Sequence, residues 1–514
     1  MNGAESLVKT LASAGVDVCF ANPGTSEMHL VAALDQVGDM RCVLGLFEGV
    51  ATGAADGYAR MADRPASTLL HLGPGLANGL ANVHNARRAN TPMVNIVGDH
   101  ATYHKHYDAP LTSDVEGVAR PFSDWVRTSA DSRSVARDGA AAVAAAMAPP
   151  GRVATLILPA DASWNEADGP APLPPVEGRA PVPPEAISDV ARVLRSGEPA
   201  VLFLGGHALR ELGLTLAGRI AVKSGARLLA QTLNARVERG AGRVAIDFLP
   251  YPVDEAIATL ADARHLVLVG SEAPVAFFAY PDKPSVLNPP QCETHRLATP
   301  GEDIVGALEA LAEELGAPQN APVQAPEKYP PPSGEAITPE AAAAALGTLL
   351  PEGAVVVDEA LSAARAFMLR TRGAAAHDCL QVTGGAIGIG VPLATGAAIA
   401  RPDRKVICLQ ADGSAMYTLQ ALWTQAREGL DVTTLLLNNR SYALLKQELA
   451  NFGAGDAGRR ALDMMELDRP ALDWVGLARS MGVEAERAKT MEGLDRQLAA
   501  GLSSEGPYLI DLEL

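Results

Sequence analysis

Short, continuous apolar runs alternate along this chain with longer segments of helical periodicity. Between residues 1 and 165 the runs Cys42 to Phe47, Thr68 to His71, Met93 to Val97 and Val153 to Leu158 are separated by segments such as Gly49 to Met61 and Ala77 to Arg88, where small and apolar residues recur at helical spacing. Strands that are apolar at every position are buried on both faces, and helices crossing between them produce a doubly wound parallel sheet. Residues 335 to 514 repeat the plan, with strands predicted at Ala354 to Val357, Val406 to Gln410, Val432 to Asn438 and Tyr508 to Leu512. Between 185 and 316 the pattern is looser, with Ala200 to Leu204, Arg227 to Ala230 and Leu266 to Gly270. The expectation is an α/β chain of three doubly wound parallel-sheet domains.

Proline supplies the boundaries. The stretches Gly169 to Pro184 and Ala317 to Gly334 are rich in a residue that continues neither a helix nor a central strand, so both read as linkers between blocks 1–165, 185–316 and 335–514. No short-period repeat is visible, which excludes a solenoid. Hydrophobic residues make up 48% and charged residues 20% of 514, the balance of a compact soluble enzyme. A net charge of −18 without any stripe of Lys and Arg argues against a nucleic-acid partner. The five cysteines, Cys19, Cys42, Cys292, Cys379 and Cys408, are odd in number and widely spaced, which argues against a disulfide framework or a cysteine-based zinc site and fits a reducing cytoplasm. The N-terminus does not resemble a signal peptide, and the alanine-rich run Ala140 to Met147 is far shorter than the roughly 20 residues of a membrane span.

Four clusters can carry chemistry. Asp412, in Ala411-Asp412-Gly413-Ser414, ends the run Val406 to Gln410, and Asn438-Asn439 end the next predicted strand. An acidic residue at one strand end and carboxamides at its neighbour set hard oxygen ligands at the carboxyl edge of a parallel sheet, where Mg2+ and a phosphate can share a site. Each piece alone is also common turn chemistry; with the Ser441 carbonyl the set offers three oxygens. The second cluster, Thr383-Gly384-Gly385-Ala386-Ile387-Gly388-Ile389-Gly390, leads into a helical segment but does not follow the dinucleotide spacing, and no strand precedes it in register with a downstream ribose-binding acid. Gly73-Pro74-Gly75-Leu76-Ala77-Asn78-Gly79 also departs from that spacing, so a Rossmann dehydrogenase is a weak rival. The third is Glu48, after the run Val43 to Phe47 and before a helix of small residues: either a first-turn glutamate or a carboxyl group in an apolar site, ready to share a proton. The fourth is the histidines His71, His100, His104 and His106, which follow apolar strands where a parallel sheet presents its active edge.

In this order the pieces resemble the thiamine diphosphate-dependent enzymes of the acetolactate synthase and benzoylformate decarboxylase superfamily, above all the acetolactate synthase large subunit-like proteins of bacteria. Asn22-Pro23-Gly24-Thr25, Glu48 and Gly73 to Asn78 match the family's pyrimidine-binding domain, and Asp412-Gly413-Ser414 with Asn438-Asn439 match its diphosphate-binding domain, on either side of a middle domain. The resemblance implies that Asp412, Asn439 and the Ser441 carbonyl bind Mg2+, and that Gly413, Ser414, Ala415 and Ser362 contact the diphosphate. It implies that Ile387 wedges beneath the cofactor, that Gly385 offers its carbonyl to the aminopyrimidine, and that Glu48 of a partner subunit hydrogen-bonds the opposite ring nitrogen. Thr25, Asn78 and Tyr442 would also contact the cofactor, and His71 and His104 would serve catalysis. A site divided between chains implies at least a homodimer, and a homotetramer is expected.

The implied reaction is decarboxylation of a 2-oxo acid, with or without carboligation, as in acetolactate formation for branched-chain amino acid biosynthesis. Two alternatives stand beside it. One is a benzoylformate-type decarboxylase or carboligating lyase, for which His71 lies 23 residues after Glu48 as in that decarboxylase and Leu444 and Leu445 would line a pocket for a bulky group. The other is a non-catalytic, regulatory cofactor-binding protein, against which Glu48 counts, since mere binding needs no proton relay. Four departures qualify the resemblance. Ala411 stands where the family has the first glycine of Gly-Asp-Gly, and Leu361 where relatives often carry a hydroxyl residue. The middle block has Ser271 to Pro281 in place of the sequence associated with FAD, which argues against FAD, and the chain ends at Leu514 without the tail found in true acetolactate synthases.

Overall fold

The computed structural model describes residues 1–329, 336–453 and 457–514. The first block forms a six-stranded sheet of β1 (Val18–Asn22), β2 (Arg41–Leu44), β3 (Ala66–Leu70), β4 (Met93–Asp99), β5 (Trp125–Thr128) and β6 (Val153–Pro159), in the order β2-β1-β3-β4-β6-β5. All its pairings are parallel. The middle block contributes β7 (Ala200–Leu204), β8 (Arg227–Ala230), β9 (Val237–Arg239), β10 (Asp247–Phe248), β11 (His265–Val269) and β12 (Glu293–Ala298), of which β10-β8-β7-β11-β12 make a parallel sheet. The third block has β13 (Val355–Glu359), β14 (His377–Gln381), β15 (Val406–Ala411), β16 (Val432–Asn438), β17 (Glu484–Ala488) and β18 (Tyr508–Glu513), ordered β17-β18-β16-β15-β13-β14-β9. Three α/β layered sheets are therefore present, as the apolar pattern predicts.

The structure departs from that pattern in three places. The strand before Glu48 stops at Leu44: the Gly45 N–H still donates to the Ala21 carbonyl (2.9 Å), but the chain bends at Leu46, 46% exposed, and Phe47, and Phe47 then caps helix Glu48–Ala62 by accepting the N–H groups of Val50 and Ala51. A strand, β14, does precede the glycine-rich segment Thr383 to Gly390. It escapes an apolar reading because His377 and Asp378 are polar, yet both are buried. Asp378 is held between Arg236 and Arg404, which keep its carboxyl below the ordinary range despite burial, and burial lowers the His377 pKa to about 3, so it stays neutral. Finally, β9 leaves the middle sheet and pairs antiparallel with β14, tying the middle block to the third. Part of the second proline-rich stretch, residues 330–334, lies outside the described residues; Gly169 to Pro183 carries no helix or strand.

The first and third blocks meet backbone to backbone. Helix Glu48–Ala62 packs on helix Gly390–Ala400, and a Cβ added at Gly396 would lie 1.8 Å from the Ala54 carbonyl oxygen. Only glycine permits that approach. Arg60, on the same helix, forms a buried pair with Asp56 (2.5 Å) and donates to the carbonyls of Gln381 (2.7 Å) and Ala235 (3.3 Å), so one guanidinium joins all three blocks. Removing one partner of a buried pair strands the other charge. Arg60→Met is therefore expected to cost about 3–5 kcal/mol of stability, read as a lowered denaturant midpoint at unchanged slope.

Candidate active site

Every candidate residue of the third block sits at the carboxyl end of a strand. Asp412 follows β15 and opens the single turn Asp412–Ala415; its Oδ1 accepts from the Gly413 N–H (2.8 Å) and its Oδ2 from the Arg440 N–H (2.7 Å). That second bond draws the segment after β16 against Asp412, with Asn439 and Ser441 flanking the bonded nitrogen. Burial pushes the Asp412 carboxyl up, opposed by those two N–H groups. Asn439 Oδ1 accepts from the Ser441 N–H (3.0 Å), and Ser441 Oγ donates to Met465 (3.0 Å). The two asparagines part company here. Asn438 is buried and donates to Asp511 (2.9 Å), leaving Asn439 at the rim. Tyr442 covers Gly413, where a Cβ would lie 2.4 Å from the ring. Ser414 is turned inward, its hydroxyl accepting from Gln410 Nε2 (2.6 Å) and donating to the Ala411 carbonyl (3.1 Å), so only its main chain faces the strand end; Ala415 is also buried. Ala411 has φ −74° and ψ 143°, an extended conformation open to any residue, so its methyl costs the backbone nothing.

The glycine-rich segment is held from both sides. Gly385 has φ +74° and Gly388 φ +93°, conformations that exclude most side chains. Glu359, buried at the end of β13, accepts from the Gly388 and Gly390 N–H groups (2.6 Å each) and from Gln410 (3.0 Å), which raises the cost of moving the segment; burial pushes its carboxyl up. From the first block, Asn85 accepts from the Gly384 N–H (3.1 Å) and donates to the Ala386 carbonyl (2.7 Å). Ile387 remains half-buried while Ile389 enters the core, so Ile387 alone of the two keeps a face free. Glu359, Gln410, Asn82 and Asn85 escape sequence reasoning. One signal was present: Asn78, Asn82 and Asn85 form a polar stripe on helix Leu72–Arg88.

That stripe reaches Glu48. Asn78 Nδ2 donates to Glu48 Oε2 (3.0 Å), and Asn82 donates to the Gly49 carbonyl (2.8 Å), fixing the start of helix Glu48–Ala62. Glu48 is buried, and Gly75 comes close enough that an added Cβ would lie 3.1 Å from Oε1. His71 caps helix Leu72–Arg88 and has Nδ1 2.8 Å from Glu27 Oε2, which also accepts from the Gly24 N–H (2.7 Å). Burial raises the Glu27 carboxyl, opposed by His71, and Oε1 is buried without a partner. Glu27 is a fifth missed residue; Gly24-Thr25-Ser26-Glu27 carries a helix-start pattern that could have marked it. Thr25 is exposed in that turn. His104 is exposed, its ring centroid 5.5 Å from His100 and 5.7 Å from Tyr107, and is not brought into contact with Glu48 or Asp412. Ser362 is exposed and lines a cleft of about 560 Å3 with Arg365, Arg370 and Arg372.

Backbone strain marks the same edges. Among the described residues, seven non-glycine residues have positive φ, and four are Asp or Asn, which tolerate it. The other three, Leu72, Leu361 and Arg440, adjoin His71, Ser362 and Asn439. Aromatic residues form 4% of the chain, yet Tyr251, Phe277, Phe278, Tyr280 and Phe452 gather here, with Phe277 3.3 Å from where a Gly385 Cβ would be. Phe277 and Phe278 are 43% and 51% exposed, an apolar surface beside the glycine-rich segment. The donor set at Asp412 is all oxygen and fits Mg2+, and the strained, glycine-lined rim with half-buried Ile387 fits a bent, phosphorylated cofactor.

Comparison with known proteins shows the family. Residues 1–119 match the family model "Thiamine pyrophosphate enzyme, N-terminal TPP binding domain", and residues 361–512 match "Thiamine pyrophosphate enzyme, C-terminal TPP binding domain". The chain is 53% identical to the "Putative acetolactate synthase large subunit IlvX" of Mycobacterium tuberculosis, over 100% of this chain and 99% of that protein. It is 29% identical to benzoylformate decarboxylase of Pseudomonas aeruginosa, over 97% and 96%. Its fold superposes with a TM-score of 0.88 on the thiamine diphosphate-dependent 4-hydroxybenzoylformate decarboxylase of Rhodococcus jostii, at 23% identity, covering 100% of this chain and 99% of that one.

Proposed function

Since the chain belongs to the thiamine pyrophosphate-dependent enzymes of the acetolactate synthase and benzoylformate decarboxylase superfamily, we propose that it uses thiamine diphosphate and Mg2+ to decarboxylate a 2-oxo acid, with or without joining the product to a second carbonyl, as an acetolactate synthase does. The observation that carries the proposal is the bond from the Arg440 N–H to Asp412 Oδ2 (2.7 Å), which sets Asn439 and the Ser441 main chain beside a buried carboxylate. Asp412, Asn439 and the Ser441 carbonyl would hold the metal. Gly413, Ser414, Ala415, Ser362 and Tyr442 would surround the diphosphate. Gly385 and Ile387 would orient the ring system, with Thr25 and Asn78 on its pyrimidine side. Thiamine diphosphate, when bound, supplies a carbon nucleophile for the 2-oxo carbonyl and an electron sink for the leaving CO2. Glu48 would hold and return a proton at the pyrimidine nitrogen, serving the partner subunit's site in a homodimer or homotetramer, and His71, oriented by Glu27, would move protons at the substrate with His104. Residues 1–165 would act as the pyrimidine-binding domain, 185–316 as the middle domain and 335–514 as the diphosphate-binding domain. All five cysteines are unpaired, in keeping with a cytoplasmic enzyme. Among the described residues no helix is long and apolar enough to cross a membrane.

The aromatic group beside Gly385 favours a second reading, a benzoylformate-type substrate. A panel of 2-oxo acids, with and without acceptor aldehydes, separates the two by product. If phenylglyoxylate is the better substrate, Phe277→Ala is expected to lower its kcat/KM roughly 5–30-fold, the loss of about 1–2 kcal/mol of ring contact, while pyruvate changes less than about twofold. Turnover of pyruvate to acetolactate without turnover of phenylglyoxylate would eliminate the aromatic reading.

A further inference from the structure

The amino ends of the middle sheet carry a cluster that the reaction does not use. His265 opens β11 and Glu293 opens β12, and the two residues are paired in register. His295 lies two residues beyond Glu293, on the same face of the strand. His265 Nδ1 is 3.1 Å from His295 Nε2, and Glu293 Oε2 is 4.0 Å from the first nitrogen and 3.9 Å from the second. The point equidistant from those three atoms lies about 2.1 Å from each, the length of a zinc–nitrogen or zinc–oxygen bond. On its other side His265 Nε2 is 3.0 Å from Glu198 Oε2, just before β7.

The protons sharpen the arrangement. If Nε2 of His265 donates to Glu198, its Nδ1 presents a lone pair toward His295. A carboxylate on the distal nitrogen is the partner that orients a metal-bound histidine and raises its basicity. His265 is buried and His295 keeps a 21% exposed side chain, so an ion could enter from solvent. Two imidazoles and one carboxylate select a borderline ion over Mg2+.

We propose that His265, His295 and Glu293 bind a zinc-class divalent ion, with Glu198 orienting His265 and water completing the coordination. The ion fastens the edge strand β12 to its neighbour β11, whose His265 is tied in turn to Glu198 ahead of the central strand β7. This site is chemically distinct from the all-oxygen set at Asp412, and it contains none of the five cysteines.

The test uses the full-length protein stripped with EDTA, then saturated with Mg2+ and thiamine diphosphate, with Co2+ as the optical probe. One equivalent of Co2+ is expected to give a visible d–d band that Zn2+ displaces. His295→Ala and the largely exposed Glu293→Gln should remove or shift that band while circular dichroism stays unchanged, and Glu198→Gln should weaken Co2+ binding roughly 10–100-fold. Asp412→Ala should leave it intact. Absence of a stoichiometric band, or a band unchanged in both His295→Ala and Glu293→Gln, overturns the site.

Discussion

Glu48→Gln is expected to leave thiamine diphosphate binding within a few fold and to slow exchange of the cofactor's C2 proton by about 10²–10⁴-fold, the range for loss of a positioned general acid or base. The substitution preserves the shape of the side chain. Asn78 Nδ2 can still donate to the remaining carbonyl oxygen, and the backbone start of helix Glu48–Ala62 is secured by Asn82 on the Gly49 carbonyl, not by the carboxylate. What is lost is the exchangeable proton. No neighbour replaces it: among the other buried carboxylates of the first block, Glu27 is committed to His71 and the Gly24 N–H, Asp56 to Arg60, Asp99 to Lys105 and Asp138 to Arg127. Rapid-quench exchange in D2O followed by NMR reads the rate directly. Equal rates in Glu48→Gln and the unmodified protein would remove Glu48 from the proton path; slow exchange in both would favour a regulatory cofactor-binding protein.

What could be read from the sequence follows from where the energy of each element lies. A fully apolar strand such as β7 announces itself, because burial on both faces favours apolar residues throughout, and β16 is legible from its run Leu435 to Leu437. β14 and β12 do not: the first buries a neutral His377 on the Ala375 carbonyl and Asp378 between Arg236 and Arg404, and the second is an edge strand reading Glu-Thr-His-Arg, so tertiary context decides both. The candidate site divides in the same way. Asp412 and Asn439 stand at the ends of legible strands, and their type states their chemistry. Glu359 and Asn85 bond to backbone N–H groups of a segment far away in the chain, and a backbone donor has no sequence signature. Leu361 could be seen to depart from its relatives, but not that its backbone takes φ +51°.

Asp412→Ala is expected to abolish Mg2+-dependent binding of thiamine diphosphate. Of the proposed ligands only Asp412 carries charge, whereas Asn439 and Ser441 offer neutral oxygens that coordinate Mg2+ weakly without a carboxylate. The same carboxylate also restrains the rim: it accepts from Gly413 and Arg440, and Arg440 holds φ +53°, a strained conformation that persists only while its surroundings enforce it. Alanine therefore removes a ligand and releases the segment bearing the other two. Asp412→Asn separates these effects, since one amide oxygen can still accept from a main-chain N–H while the charge is gone. Titration calorimetry should show no binding for Asp412→Ala at millimolar Mg2+, and for Asp412→Asn an affinity lower by roughly 100-fold or more, as a charge-bearing ligand contributes about 3 kcal/mol. Unchanged affinity in both variants would place the metal elsewhere. Loss in alanine alone, with asparagine intact, would mean that Asp412 acts by holding Arg440 and not by touching the ion.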